Sequence, residues 1–296
     1  MASDFEYPQI SGSRWLDLEH PYAGRVAVLA TKHGKLPLIG PPIEQATGMT
    51  VRDVDVDTDT LGTFTGDIPR IETPLNTAIA KARMGMEAAG VEIGLASEGS
   101  IAPDPALPFV VADRELVVLV DGSAEIIVWE SCSSWEILAA TITASTVDGL
   151  ESFLERADFP NHKLIVRPNS GSVYPVYKGI DDVDELVAAL GECVAVSADG
   201  LVVVETDLRA HMCPSRRTVI AKAAGRLALR LATRCPACGA PGWGRVDVLL
   251  GLPCVSCGTQ VDRPRAEIDA CVTCDHRETR IIATGADPGE CPACNP

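Results

Sequence analysis

The sequence predicts an α/β protein, a mixed sheet with flanking helices in two core subdomains, followed by C-terminal tandem zinc ribbons. Three observations carry that prediction. Arg25–Ala30 is a continuous apolar run of strand length leading through a Gly- and Lys-containing loop into a helical segment, the pattern of a buried parallel strand. Arg114–Val120 and Glu125–Glu130 are β-rich runs flanking Asp121-Gly122-Ser123, a hairpin signal that adds antiparallel strands. Four Cys-x-x-Cys pairs then crowd the C-terminal tail.

Residues 1–24 read as a polar extension with scattered aromatics, Phe5, Tyr7, Trp15 and Tyr22. The first core domain spans 25–147. Its opening strand ends in Thr31-Lys32-His33-Gly34-Lys35, at the place where open α/β sheets bind ligands. Pro41-Pro42 makes the following helix irregular, and Met49–Val56 is the second strand. Thr73 followed by Pro74 starts an amphipathic helix, with Leu75, Ile79, Ala82, Met86 and Ala89 on one face and Gly90 as its stop. A short apolar strand then ends in Ser97-Glu98-Gly99. Glu72 at the helix entrance, Lys81 two turns inside, Glu98 at the strand end and Lys35 in the first loop form the candidate catalytic set. Two carboxylates and an ammonium there suit a divalent cation, Mg²⁺, and a phosphate chain. Thr31, His33 and Asp67 are candidate substrate contacts.

The second core subdomain spans 148–233. Leu150–Ala157 and Val183–Leu190 read as helices, His162–Arg167 and Tyr174–Tyr177 as strands. Leu201–Met212 reads as a strand in which Glu205, Asp207, Arg209 and His211 alternate, so period two places them on one face. Cys213-Pro214-Ser215-Arg216-Arg217 opens a helix to about Leu231. Those four groups with Arg216 form a second candidate substrate site; an exposed edge strand with salt-linked charges fits the composition equally well.

The tail, 234–296, carries Cys235/Cys238, Cys254/Cys257, Cys271/Cys274 and Cys291/Cys294. Fifteen residues separate the first two pairs and sixteen the last two, the spacing of a four-thiolate zinc site twice over. Sequential pairing is the simplest arrangement and gives two structural zincs; interleaved pairing meets the same spacing. Cys132, Cys193 and Cys213 remain as buried thiols.

Composition narrows the partners. A net charge of −16 repels DNA, RNA and anionic membranes, and the stretch from Cys235 to Pro296 holds five Arg, no Lys and eight Asp plus Glu, too acidic to grip a nucleic acid backbone. A small phosphorylated molecule stays compatible, because a local pocket can overrule the global field. No stretch is long enough to span a membrane and the N-terminus lacks a basic flank and apolar core. The expectation is a cytoplasmic protein with thiols rather than disulfides, whose ribbons stabilise the domain or dock a protein partner or second subunit.

Residues 25–131 resemble the inosine/xanthosine triphosphate pyrophosphatase fold: Ala30-Thr31-Lys32-His33-Gly34-Lys35 is similar to its strand–loop–Lys opening, and Glu72-Thr73…Ala78…Lys81-Ala82 with Glu98-Gly99-Ser100 to its second and third motifs. His33-Gly34 stands where that group typically carries Asn, and Ser-Glu-Gly-Ser replaces its Glu-Ser-Gly. Over the whole length the chain resembles an uncharacterised bacterial family of unknown function, through its ATKHGK, LGTFT, LASEGS, VETDLRAH and CPxCG segments. The resemblance to the pyrophosphatases implies metal-dependent hydrolysis of a nucleotide or related phosphoanhydride. The alternatives are a non-catalytic phosphometabolite-binding or adaptor protein, and a site at Glu205–His211 with the N-terminal domain as scaffold.

Overall fold

In the computed structural model residues 20–61 and 72–296 are described. Asp67, the LGTFT segment beyond Leu61 and most of the N-terminal extension lie outside the described residues. The first sheet has order β2-β1-β3-β4-β5, formed by β1 (Val26–Ala30), β2 (Thr50–Val54), β3 (Ile93–Pro103), β4 (Val111–Asp121) and β5 (Ile126–Ser134). β1 runs parallel to both β2 and β3, while β3, β4 and β5 form an antiparallel meander. The expected hairpin is the β4–β5 turn, where Asp121 Oδ1 accepts from the Ser123 and Ala124 amides.

Helix α1 (Leu36–Thr47) is continuous, unlike the irregular segment expected around Pro41-Pro42. Ile39, Gly40, Pro42 and Ile43 are buried, so packing compensates for the two backbone bonds the prolines remove. Helix α2 (Pro74–Ala89) has the expected caps: Thr73 Oγ1 accepts from Asn76 N at 3.2 Å and Gly90 takes φ +65°. Leu75, Ile79, Ala82 and Met86 pack on the sheet, whereas Ala89 in the last turn is exposed. Gly94 on β3 permits this close seat, since a Cβ there would lie 2.6 Å from the Ala82 carbonyl.

The second sheet, order β6-β9-β7-β8, is antiparallel: β6 (Thr141–Ala144), β7 (Leu164–Pro168), β8 (Tyr177–Ile180) and β9 (Val202–Thr206). Helices α3 (Glu151–Arg156) and α4 (Val183–Val196) cover it through Phe153, Leu186, Leu190 and Cys193. Two segments cross the boundaries drawn from the sequence. β6, N-terminal to 148, pairs with β9. Helix α5 (Pro214–Ala232) returns to the first sheet, burying Val219, Ile220, Ala224, Leu227 and Leu231 in one core with Leu29, Ile39, Leu95, Val117 and Leu119. The first sheet is thereby covered by α2 on one face and by α1 and α5 on the other.

The tail forms a three-stranded sheet, β10 (Gly244–Leu249), β13 (Ala266–Ala270) and β14 (Arg277–Ile281), plus the short pair β11 (Leu252–Pro253) and β12 (Gln260–Val261). It is tied to the core through Arg230 of α5, which donates to Gly242 O at 3.1 Å and to Trp129 O at 3.1 Å on β5. Trp243 stacks on His276, 5.1 Å between centroids. Among the described residues no helix is long and apolar enough to cross a membrane.

Candidate functional site

The register of β3 creates the site. β1 pairs with β3 only as far as Ala30 opposite Ala96, so Ser97, Glu98 and Gly99 continue past the carboxyl end of β1. The loop from Thr31 to Lys35 passes over that end. Alternation along β3 sends Ser97 to the α1/α5 face and Glu98 to the α2 face. On the first face the Lys35 ammonium, buried, donates to Ser97 Oγ at 2.8 Å. On the second, Lys81 of α2 is ion-paired with buried Glu98. Both pairs flank the end of one strand, and the charges of Glu98 and Lys81 are felt at Lys35.

β4 and α5 complete the cluster with residues that the sequence reading missed. Asp113 and Glu115, fully buried, follow the phase of Val117 and Leu119 and so face α5. Arg216 meets them there: its Nε donates to Glu115 Oε1 at 2.5 Å and its Nη1 to Leu208 O at 2.8 Å. A Cβ on Gly99 would overlap both Glu115 and Arg216, so glycine is required for their approach. The available signal was two acids in phase with the core residues of an apolar strand. No N–H or O–H donor reaches either oxygen of Asp113. Burial, and then the neighbouring Glu115, push its carboxyl up to about 8, so a proton on Asp113 is available to Glu115 two residues on.

Of the expected catalytic residues, Lys35 and the Lys81–Glu98 pair lie at the same end of β3 but on opposite faces of the sheet, and Glu72 lies with neither. It lies on the exposed start of α2, accepting from Asn76 Nδ2 at 3.2 Å. The second expected site is reorganised. β9 ends at Thr206, so Asp207 to His211 form a turn and share no strand face. Buried Asp207 accepts from Arg209 Nε at 2.9 Å and from its own turn's Arg209 amide at 3.1 Å. Glu205 stays in mid-sheet, 3.4 Å from Arg167. That turn closes over the first domain: His211 stacks on His33 with 5.0 Å between centroids, and Leu208 O accepts from Arg216. Thr31 Oγ1 accepts from the His33 amide at 3.4 Å. Burial, followed by the charges of Lys35, His211, Arg216 and Arg209, lowers His33 to about 4 and keeps it neutral.

Among the described residues Lys35 makes no ion pair, and burial lowers it to about 8. These shifts predict a pH dependence of stability. Between about 3.8 and about 8 the folded chain holds a proton on Asp113 that the unfolded chain has released, so stability falls as pH rises. His33 acts oppositely between about 4 and 6.5, where only the unfolded chain holds its proton. Between pH 6.5 and 8 the Asp113 contribution is therefore no longer opposed by His33. Asp113→Asn is expected to flatten the fall, read from urea midpoints at those two pH values; an undiminished slope in the variant would refute the assignment.

In the tail two sets of four cysteine sulfurs converge: Cys235, Cys238, Cys271 and Cys274, and Cys254, Cys257, Cys291 and Cys294. The pairing is interleaved, which corrects the sequential one. The cause is strand register. Gly244 opposite Ala270 brings the first knuckle to the third, and a bridge between Cys254 and Ala286 brings the second to the fourth. Sulfur separations of 3.6–3.9 Å are far beyond a disulfide. They match the ~3.8 Å edge of a tetrahedron with Zn–S bonds of about 2.3 Å, so the sets could bind zinc. Outside them, no three His, Cys, Asp or Glu ligand atoms of the described residues gather within 4.8 Å of one another.

The family described as "Domain of unknown function (DUF6671)" matches residues 81–296. No curated protein matches. Among solved structures, protein VC0702 from Vibrio cholerae is similar at 14% identity and a TM-score of 0.31, over 70% of this chain and 94% of that one. A likeness at that level carries no functional argument. The pyrophosphatase resemblance gains no support from these comparisons.

Proposed function

We propose that this chain, which belongs to the DUF6671 family, binds a small phosphorylated molecule of the nucleotide class over the carboxyl end of β1 and hydrolyses its phosphoanhydride with a divalent metal. The observation that carries this reading is Lys35. In a chain of net charge −16, it is a buried ammonium with a hydroxyl partner and no ion pair among the described residues, in the crevice where open α/β sheets take ligands. Lys81 and Arg216 each face a carboxylate, and the protonated form of Asp113 adds no negative charge, so the cluster is left with a cationic surplus that suits an anion. His33, neutral and stacked on His211, offers a flat edge for a base or sugar.

Mg²⁺ commonly keeps only one or two protein carboxylates and takes substrate phosphates as its other ligands. The acids here fit that lesser role, with Glu98 exchanging its Lys81 contact for the metal. The metal would polarise the phosphoryl oxygens, while Lys35 and Arg216 hold the phosphate chain. In the tail, each tetracysteine set holds a structural zinc, since four thiolates leave no open position.

The test is a panel of nucleoside di- and triphosphates with and without Mg²⁺, reading phosphate and pyrophosphate release. Turnover that needs Mg²⁺ and disappears in Lys35→Met is expected. Rates at blank level across the panel would end the hydrolytic reading. The occupied state of Glu98 favours a second reading, binding without chemistry, which the same panel reports as a rise in melting temperature without turnover.

A further inference from the structure

Beside that cluster, where the second sheet meets the start of α5 one residue before Arg216, three side chains form a hydrogen-bonded relay. His162, buried in the turn before β7, has Nδ1 3.0 Å from Asp158 Oδ2 and Nε2 2.9 Å from Ser215 Oγ. Asp158 also accepts from Asn161 Nδ2, and these bonds hold its carboxyl below the usual range, so it is ionised at neutral pH and cannot donate. The proton of His162 therefore sits on Nδ1, and Nε2 is left as the acceptor toward Ser215.

A helix cap explains part of this arrangement. The Ser215 amide also points at Nε2, at 3.1 Å, and that contact alone would satisfy an orphan donor of α5. It does not explain the hydroxyl, which is closer to the same nitrogen, nor the carboxylate that fixes the opposite edge of the ring. The Leu138 amide approaches Ser215 Oγ at 3.4 Å, and the hydroxyl shares the single lone pair of Nε2 with its own amide. Cys213, 3.4 Å from the same oxygen, is kept protonated because burial raises its thiol, so sulfur does not compete as nucleophile. Ser215 and Asp158 are both partly exposed, so the relay opens toward solvent at the nucleophile and at the acid.

We infer that Ser215, His162 and Asp158 constitute an acyl-transfer site for small carboxylic esters, independent of the phosphate reading. Ser215 Oγ bonds to the acyl carbon while its proton passes to Nε2 of His162. The acyl–oxygen bond of the ester then breaks and the departing alkoxide takes that proton, giving an alcohol and an acyl-serine. Water, deprotonated by the same nitrogen, repeats the sequence and releases the carboxylic acid. Asp158 is the positioning residue, acting on the substrate only through the imidazole. The amides of Ser215 and Arg217 in the first turn of α5 are engaged, by His162 and by the Cys213 carbonyl, and Pro214 has none. The developing oxyanion thus meets the positive end of the helix rather than a pair of free donors, which suits the better leaving group of an ester over that of an amide.

The experiment uses the full chain and an alkyl fluorophosphonate, which a serine of this kind displaces at phosphorus with loss of fluoride. A single adduct mapping to Ser215 by peptide mass is expected, absent in Ser215→Ala. Asp158→Asn leaves the cap on α5 in place, so its melting temperature should match the parent while labelling slows at least about a hundredfold. Hydrolysis of p-nitrophenyl acetate should follow the same order. Failure of the folded parent to label at Ser215, or equal labelling rates in Asp158→Asn and the parent, would overturn the inference.

Discussion

Replacing Cys271 or Cys254 by serine is expected to disable the whole cysteine tail, although each change touches one set of four sulfurs. Sequentially paired sites would be independent, with a short loop closed by each metal and one zinc surviving either substitution. The interleaved pairing differs physically. β10 lies between the first and second knuckles and β13 between the second and third, and these two strands are partners in one sheet. Releasing Cys271 frees the end of β13 and loosens the sheet that spaces the second set. Binding free energy for a structural zinc is on the order of 10–16 kcal/mol, and in a module this small it is largely folding free energy. The parent should carry two zincs per chain by native mass spectrometry. Either variant should fall below one and become cleavable by protease between β10 and β14. One firmly bound zinc with an uncleaved tail in both variants would show that the two sets fold independently.

The tail also shows where a sequence stops being informative. Each knuckle is local, a Cys-x-x-Cys turn, and can be read directly. The partner of each knuckle is decided by a strand register spanning more than twenty residues, and no spacing rule encodes it. The first domain divides in the same way. The parallel strand before Lys35, the capped helix carrying Lys81 and the β4–β5 hairpin all follow from periodicity and turn chemistry over a few residues. Glu72 and Lys81 belong to one helix in the sequence, at its entrance and two turns inside. The helix turns Glu72 to solvent while Lys81 lies over β3. For Asp207–His211 the alternation was real, but the backbone left the sheet at Thr206, where the Asp207 side chain captured its own turn through Arg209. Asp113 and Glu115 carry no such local sign, because charged residues on a strand ordinarily form its solvent face. Their phase with Val117 and Leu119 becomes meaningful only once α5, a hundred residues later, is known to cover that face.

Arg216 is the residue through which α5 depends on β4, and Arg216→Met is expected to destabilise the fold by about 3–5 kcal/mol. The guanidinium is almost wholly buried and serves both Glu115 and the Leu208 carbonyl. Methionine fills similar apolar volume but leaves Glu115 buried beside Asp113, with Lys35 as the nearby cation. That desolvated carboxylate, rather than the lost contact, is the main cost. For a chain of this size the loss corresponds to a fall in melting temperature on the order of 10 °C. Glu115→Met in the same chain removes the stranded charge, so the double variant should recover most of the stability, and the two single losses should be strongly non-additive in the double-mutant cycle. Gly99→Ala attacks the same pair from β3, because its methyl group would overlap both partners, and it should destabilise the parent more than the double variant. Additive effects across the cycle, or a loss below about 1 kcal/mol for Arg216→Met, would mean that the charges are solvated and that the crevice at the end of β1 is wetter than its burial implies.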